Sequence, residues 1–170
     1  MLARLVVVQE PFAPPDTAWI PVSPRLATMR RTLLGTFGVL GLVAILVVVL
    51  SLGGPGWLAG LLSALWLAAV GFSWWLVGRN ARWWGYAERD DELYIRRGAL
   101  NRSLVVVPYG RMQYVDVHAG PIEQAFRLAN VHLHTASPGT SAHIPGLPAR
   151  EAARLRDRLT DLGESQAAGL

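Results

Sequence analysis

Residues 32–78 read TLLGTFGVLGLVAILVVVLSLGGPGWLAGLLSALWLAAVGFSWWLVG, and these 47 positions contain no Asp, Glu, Lys, Arg or His. A soluble domain carries charge on about a quarter of its residues. This chain of 170 is 16% charged and 52% hydrophobic, with a mean hydropathy of +0.30, and the deficit lies in this one stretch. An ordinary soluble globule and a disordered chain are both excluded, leaving a membrane protein with a modest water-facing part. The stretch divides at Gly53-Gly54-Pro55-Gly56, a turn cluster that a continuous helix would not tolerate well. On either side, Leu33–Leu52 supplies 20 apolar or small residues and Trp57–Val77 supplies 21. Each makes about 30 Å of helix at roughly 1.5 Å per residue, enough to cross a bilayer. A buried hairpin in a soluble core is the alternative, but a domain this small cannot wrap two helices that are apolar on every face. A cleaved signal peptide does not fit either, because about thirty residues precede the first span and a second follows at once.

Charge sets the orientation. All sixteen basic residues are arginine, a codon-usage mark of a GC-rich bacterial genome. Arg25, Arg30 and Arg31 precede the first span, Arg79 and Arg82 follow the second, and the linker has none. The positive-inside bias predicts both termini in the cytoplasm and only Ser51 to Gly56 outside. Trp57 would mark the outer interface, and Trp74, Trp75, Trp83 and Trp84 the inner one. Gly60, Ala64 and Ala68 recur every four residues in the second span. They form a small-residue strip expected to pack against the first span, with a dimer face as the alternative. No single-sign patch suggests nucleic acid as a partner, and with no cysteine there is neither a disulfide framework nor thiolate chemistry.

After Gly78 the pattern changes. Tyr86 to Arg97 reads as two strands around an Asp90-Asp91 turn, and Gly98 to Asn101 as a second turn. Ser103–Val107 is a β-branched strand ending at Pro108, and Gln113–His118 alternates again. Val131 and Leu133 alternate with His132 and His134; a hairpin turn at Ser137–Thr140 and a short strand at 141–144 follow. From Pro148 to Leu162 the period becomes helical, with Ala152, Leu155, Leu159 and Leu162 on one face and Gly163 as the stop. The predicted fold is therefore an α-helical transmembrane hairpin followed by an all-β sandwich or open barrel capped by a C-terminal helix. The divisions are 1–32 for an N-terminal segment, 33–78 for the hairpin, 79–163 for the β-domain and 164–170 for a tail.

The segment Val107-Pro-Tyr-Gly-Arg-Met-Gln-Tyr-Val-Asp-Val117, then Gly120-Pro-Ile122, Leu128-Ala-Asn-Val131, Thr135-Ala-Ser137 and Ile144-Pro-Gly-Leu-Pro148, resembles the bacterial PH-like domain of YdbS-like membrane proteins. The likeness runs from about Arg82 to Leu162, and the two spans and the stretch Trp19-Ile-Pro-Val-Ser-Pro-Arg25 fit the same family. Where the family pattern has an arginine and then Phe-Gly-Leu, this chain has Gln124 and Phe126-Arg127-Leu128. The resemblance implies a membrane-anchored module without an established reaction, often encoded beside a larger relative with several such domains. PH-like folds bind headgroups, peptides or other domains, so function has to be argued from the residues.

The chain contains no nucleophile–base pair, phosphate-cradling Gly loop or metal-spaced carboxylate set, so the expected role is non-catalytic, with no cofactor. The leading expectation is a protein-interaction scaffold at the cytoplasmic face, its partner another membrane protein such as a larger PH-like relative. A sheet edge or the groove beside the capping helix would take the partner. Tyr109, Arg111 and Gln113 are the candidate partner-binding residues, Arg111 and Gln113 pointing to one side of a strand. The alternative is a weak contact with anionic lipid headgroups through Arg79, Arg82 and Arg102, opposed by acid in the first hairpin, Glu88-Arg-Asp-Asp-Glu92. His118, His132, His134 and His143 are read as polar-face residues rather than metal ligands, and Asp116 and His118 as a contact pair rather than an acid–base device.

Overall fold

The structure, a computed structural model, describes residues 18–135 and 142–168. Two long helices come first, α1 (Pro24–Ser51) and α2 (Gly56–Trp83), preceded by a two-residue strand, β1 (Ile20–Pro21). Both helices are long and apolar enough to cross a membrane. Each overruns the expected span at its charged end, so the boundaries drawn at 32 and 78 fall inside helices. Ser23 caps α1, its Oγ accepting from Arg25 N–H, and Pro24 occupies the first turn, where the missing donor costs nothing.

Glycine and tryptophan fit the two helices together. Trp66 of α2 donates its indole N–H to the Gly38 carbonyl of α1 at 2.8 Å, and its ring fills the space a Cβ at Gly41 would occupy. A Cβ at Gly35 would lie 3.4 Å from Trp74, and one at Gly38 would lie 3.1 Å from Val70. The small strip that lets the helices approach is therefore on α1. This corrects the expectation for Gly60, Ala64 and Ala68, which are exposed and face away from α1. Trp66 and Val70 of α2 turn toward α1, while Leu61, Leu65, Leu67 and Phe72 are exposed along with Gly60, Ala64 and Ala68.

Two antiparallel sheets follow. Sheet one has the order β1-β2-β3-β4, with β2 (Gly85–Glu88), β3 (Glu92–Arg97) and β4 (Ser103–Pro108). After a 3-10 turn at Tyr109–Arg111, sheet two has the order β5-β6-β7, from β5 (Met112–His118), β6 (Leu128–Thr135) and β7 (Ala142–Pro148). Strand β7 runs beyond the predicted 141–144; the turn predicted at Ser137–Thr140 lies outside the described residues. A short helix, α3 (Pro121–Ala125), joins β5 to β6, and α4 (Ala149–Ala168) closes the domain. Pro148 ends β7 rather than starting α4, and α4 continues through Gly163 instead of stopping there.

The expected apolar stripe of α4 is its buried face: Ala152, Leu155 and Leu159 are fully enclosed with Leu93, Ile95, Val107, Leu133 and Ile144. The same core takes Val22, Leu26 and Met29 from the chain before the first span and Trp84 from the end of α2. Ile20 and Pro21 pair with Tyr86 and Gly85, Ser23 N–H donates to the Gly146 carbonyl (3.1 Å), and Trp19 stacks on Arg96. The segment 18–29 is thus a working part of the β-domain. Trp84, expected at the membrane interface, is instead 7% exposed against His143.

Candidate functional site

Pro108 ends β4 and the 3-10 turn swings Tyr109 inward, so its ring is fully enclosed. Its hydroxyl donates to the Arg89 carbonyl at 2.9 Å and its N–H to the Asp91 carbonyl at 3.1 Å. Burial, reinforced by the charge of Glu88, pushes the phenol up to about 12, so it is a neutral donor tying the turn to the first hairpin. Of the three candidates in this segment, only Arg111 and Gln113 reach solvent; Tyr109 is a core residue. Gln113 lines a groove of about 190 Å³ between β5 and α4, bounded by Met112, Val115, Leu159 and Gly163. Gly163 is useful there as a thin place on the helix rather than as its end.

Arg79, Arg82 and Arg102 stand at the foot of the hairpin. The Arg102 guanidinium lies 3.9 Å from the Trp83 ring centroid and that of Arg79 5.4 Å from Trp75, while Arg82 is exposed in the last turn of α2. Among the described residues, the arginines in ion pairs are on α4: Arg154, Arg156 and Arg158. Arg79, Arg82 and Arg102, at the foot of the hairpin, form no ion pair among the described residues.

Of the acids in the first hairpin, Glu88 is engaged within the fold, while Asp90 and Asp91 are exposed. Glu88, 11% exposed, takes Arg154 at 2.6 Å and Arg158 at 2.7 Å. Glu151 accepts from Tyr86 at 2.6 Å and from Arg154 at 2.7 Å. The Arg154 hydrogen bond, aided by that of Tyr86, holds the Glu151 carboxyl below its ordinary range. This network fastens α4 to sheet one and neutralises the Glu88 carboxylate with two guanidinium groups.

The alternation of β6 and the register of sheet two bring the histidines into one row. His132 pairs across strands with Asp116 and with His143. Ring centroids are 5.5 Å apart for His118–His132, 5.7 Å for His132–His143 and 5.3 Å for His143–Trp84. His134 stacks on Tyr114 at 4.3 Å. Asp116 and His118 bond to each other at 2.7 Å along one strand. Burial, then the neighbouring imidazoles, lowers His132; burial, then His132, lowers His143. Among the described residues no group of three His, Asp or Glu is arranged to hold a metal ion.

Sequence reasoning missed one further grouping, Arg25, Arg127 and Arg150, which line a common cleft with Gln124. Their spacing of 102 and 23 residues has no motif signature; the available signal was Arg127 standing where the family pattern has glycine.

Comparison with known proteins matches residues 31–162 to the family model described as Bacterial PH domain. That match begins at the foot of α1, so the matched unit includes the hairpin as well as the sheets. The chain is also similar to the UPF0699 transmembrane protein YdbS of Bacillus subtilis (strain 168), 38% identical over 77 residues, which are 45% of this chain and 47% of that protein. The match thus spans about half the length of this curated relative. No solved structure matches. With two membrane-length helices leading into two antiparallel sheets and a capping helix, and the family model covering most of its length, the chain belongs to the bacterial PH domain family.

Proposed function

We propose that this protein is a non-catalytic, membrane-anchored scaffold that holds its PH-like domain at the cytoplasmic face of a bacterial membrane and presents it to a second membrane protein. The shared core carries this reading. Because Val22, Leu26, Met29 and Trp84 belong to the core of the β-domain, the domain is set rigidly on the hairpin. A module that docks beside a membrane neighbour gains from a fixed attitude to the bilayer, because both surfaces then meet in one orientation. The outward strip of Gly60, Ala64 and Ala68 suits close approach of that neighbour's helix. The groove beside α4, with Gln113 in it and Arg111 two residues away, suits its water-facing part.

The test is a photo-crosslinking residue at Gln113 of the full chain in native membranes. A discrete adduct with one membrane protein is expected, weakened by Arg111→Ala with insertion unchanged. Absence of any adduct, together with turnover of a small molecule by the purified protein, would replace the scaffold with an enzyme. A second reading, attraction to anionic lipid through Arg79, Arg82 and Arg102, is favoured by the lack of ion pairs among the described residues at the foot of the hairpin. Each such arginine is worth about 1 kcal/mol near an anionic surface. Vesicle binding that is indifferent to anionic lipid content excludes it.

A further inference from the structure

Three residues of this domain stand in locally unfavourable positions, and all three open on the same cleft. Arg127 has φ 56°, the one non-glycine among the described residues in the left-handed region, where a Cβ crowds the following carbonyl. Arg25 lies in the first turn of α1, a turn without any acidic residue, and Arg150 in the first turn of α4. The positive end of a helix dipole favours anions, so both guanidinium groups are set against it. The first turn of α4 does contain an acid, Glu151, but that carboxylate is engaged by Tyr86 and Arg154. The cleft the three arginines line has a volume of about 580 Å³, within the range of ligand sites, and among the described residues no carboxylate lines it. Gln124, Leu128, Ala119, Pro148 and Ala149 also line it, with the Gln124 amide N–H donating to the Ala119 carbonyl at 2.8 Å. None of the three arginines has a hydrogen-bonded or ionic side-chain partner among the described residues.

Three separate costs that meet at one place point to a ligand that offsets them. We propose that this cleft binds a phosphate group carrying about two negative charges, held by Arg25, Arg127 and Arg150 at the starts of α1 and α4. Guanidinium forks match phosphate oxygens in geometry as well as charge. Two sources offer this group. Arg25 lies eight residues before Leu33, about 12 Å of helix, whereas headgroups extend about 5–7 Å beyond the hydrocarbon. A soluble phosphate ester therefore reaches the cleft directly, and a lipid phosphate reaches it only if the headgroup projects. The site goes beyond the scaffold reading and does not depend on it.

The test is thermal unfolding of the full chain in phosphatidylcholine nanodiscs, with inorganic pyrophosphate against potassium chloride at matched ionic strength. Pyrophosphate at a hundredfold excess over its Kd is expected to raise Tm by about 5 °C or more. R25Q, R127G and R150Q should each abolish that rise while melting, without ligand, as high as the wild type or higher. That coupling of lost binding to unchanged or raised stability is what a structural role for these residues would not produce. Discs containing phosphatidic acid separate the sources. If a lipid phosphate fills the cleft, the wild type gains stability in them, R127G does not, and pyrophosphate adds nothing further. If the ligand is soluble, melting is the same in both discs and the pyrophosphate rise persists. Absence of any rise in either disc, a rise retained by all three variants, or variants that melt several degrees below the wild type would overturn the proposal.

Discussion

Leu26 of α1 lies over Gly146 of β7 so closely that a Cβ at position 146 would fall 2.7 Å from the Cβ of Leu26. Gly146 has φ +67°, its N–H donates to Asn130 Oδ1 at 3.0 Å, and its carbonyl accepts from Ser23 N–H at 3.1 Å. Leu26 itself is 2% exposed. One residue at the root of the hairpin and one in the last strand thus form the joint that converts a tethered domain into a fixed one.

Gly146→Ala should loosen this joint from two directions. Overpacking against Leu26 costs about 1–3 kcal/mol, and a side chain at a left-handed position adds about 1–2 kcal/mol. Leu26→Ala removes the same contact by leaving a cavity, at about 2–5 kcal/mol. Limited proteolysis near residue 84 and the melting temperature should both report the loss, with the helical content of the hairpin retained. A Gly146→Ala protein that melts like the wild type would mean the joint carries little of the stability.

Hairpin packing gives a paired comparison. Gly41→Leu drives a side chain into the Trp66 ring and should pull that indole off the Gly38 carbonyl. At Gly60 a Cβ meets nothing within 4 Å, so Gly60→Leu starts into open space. Cysteine crosslinking between α1 and α2 in membranes should drop for the first and stay unchanged for the second. Loss of crosslinking in both would place Gly60 back in the helix interface.

These two contacts mark where the sequence is legible and where it is not. Composition and period alone locate both spans, six of the strands and the buried face of α4, because burial imposes those patterns residue by residue. Which small strip meets which helix is not a periodic property. Gly60, Ala64 and Ala68 satisfy the spacing as well as Gly35, Gly38 and Gly41 do, and only the position of Trp66 and Trp74 on the facing helix decides between them. Tyr109 shows the same limit at the candidate site. An aromatic between Pro108 and Gly110 fits an exposed turn equally well, and its enclosure depends on α4 arriving from forty residues downstream. The role of segment 18–29 in the domain core is also non-local, since its partners follow both spans.

Acid should weaken sheet two. His132 and His143 are held below their ordinary 6.5, chiefly by burial. The unfolded chain therefore binds protons first as pH falls through about 6.5, and stability is lost from there down to the lowered folded values. Melting temperature should fall between pH 7 and 5, with a shallower slope in a H132Q/H143Q variant. Glu151 contributes in a separate window. Its stabilisation is present above the ordinary 4.5 and is lost only as pH falls below that value. Equal slopes in wild type and variant between pH 7 and 5 would assign the acid sensitivity elsewhere.

The scaffold reading and the lipid reading both require the β-domain to face the cytoplasm, which makes topology the measurement with most at stake. Arg25, Arg30, Arg31, Arg79 and Arg82 flank the spans on one side, and the turn at Gly53–Gly56 carries no charge. Carrying a single arginine through the centre of a bilayer costs about 2.5–3.5 kcal/mol on insertion scales, so reversal would have to bring five of them and the whole folded domain across. A reporter active only in the cytoplasm should therefore be active when fused after Leu170. A reporter that needs export should work when inserted at Gly54 and fail at the C-terminus. Insertion at Gly54 is well tolerated in principle, because the turn between α1 and α2 is exposed at Gly53 and Pro55 and touches nothing in the domain. The opposite pattern would put Arg79, Arg82 and Arg102 beyond the reach of inner-leaflet lipid and the Gln113 groove beyond any cytoplasmic partner. Both readings would then fall together, and the phosphate cleft would have to find its ligand outside the cell.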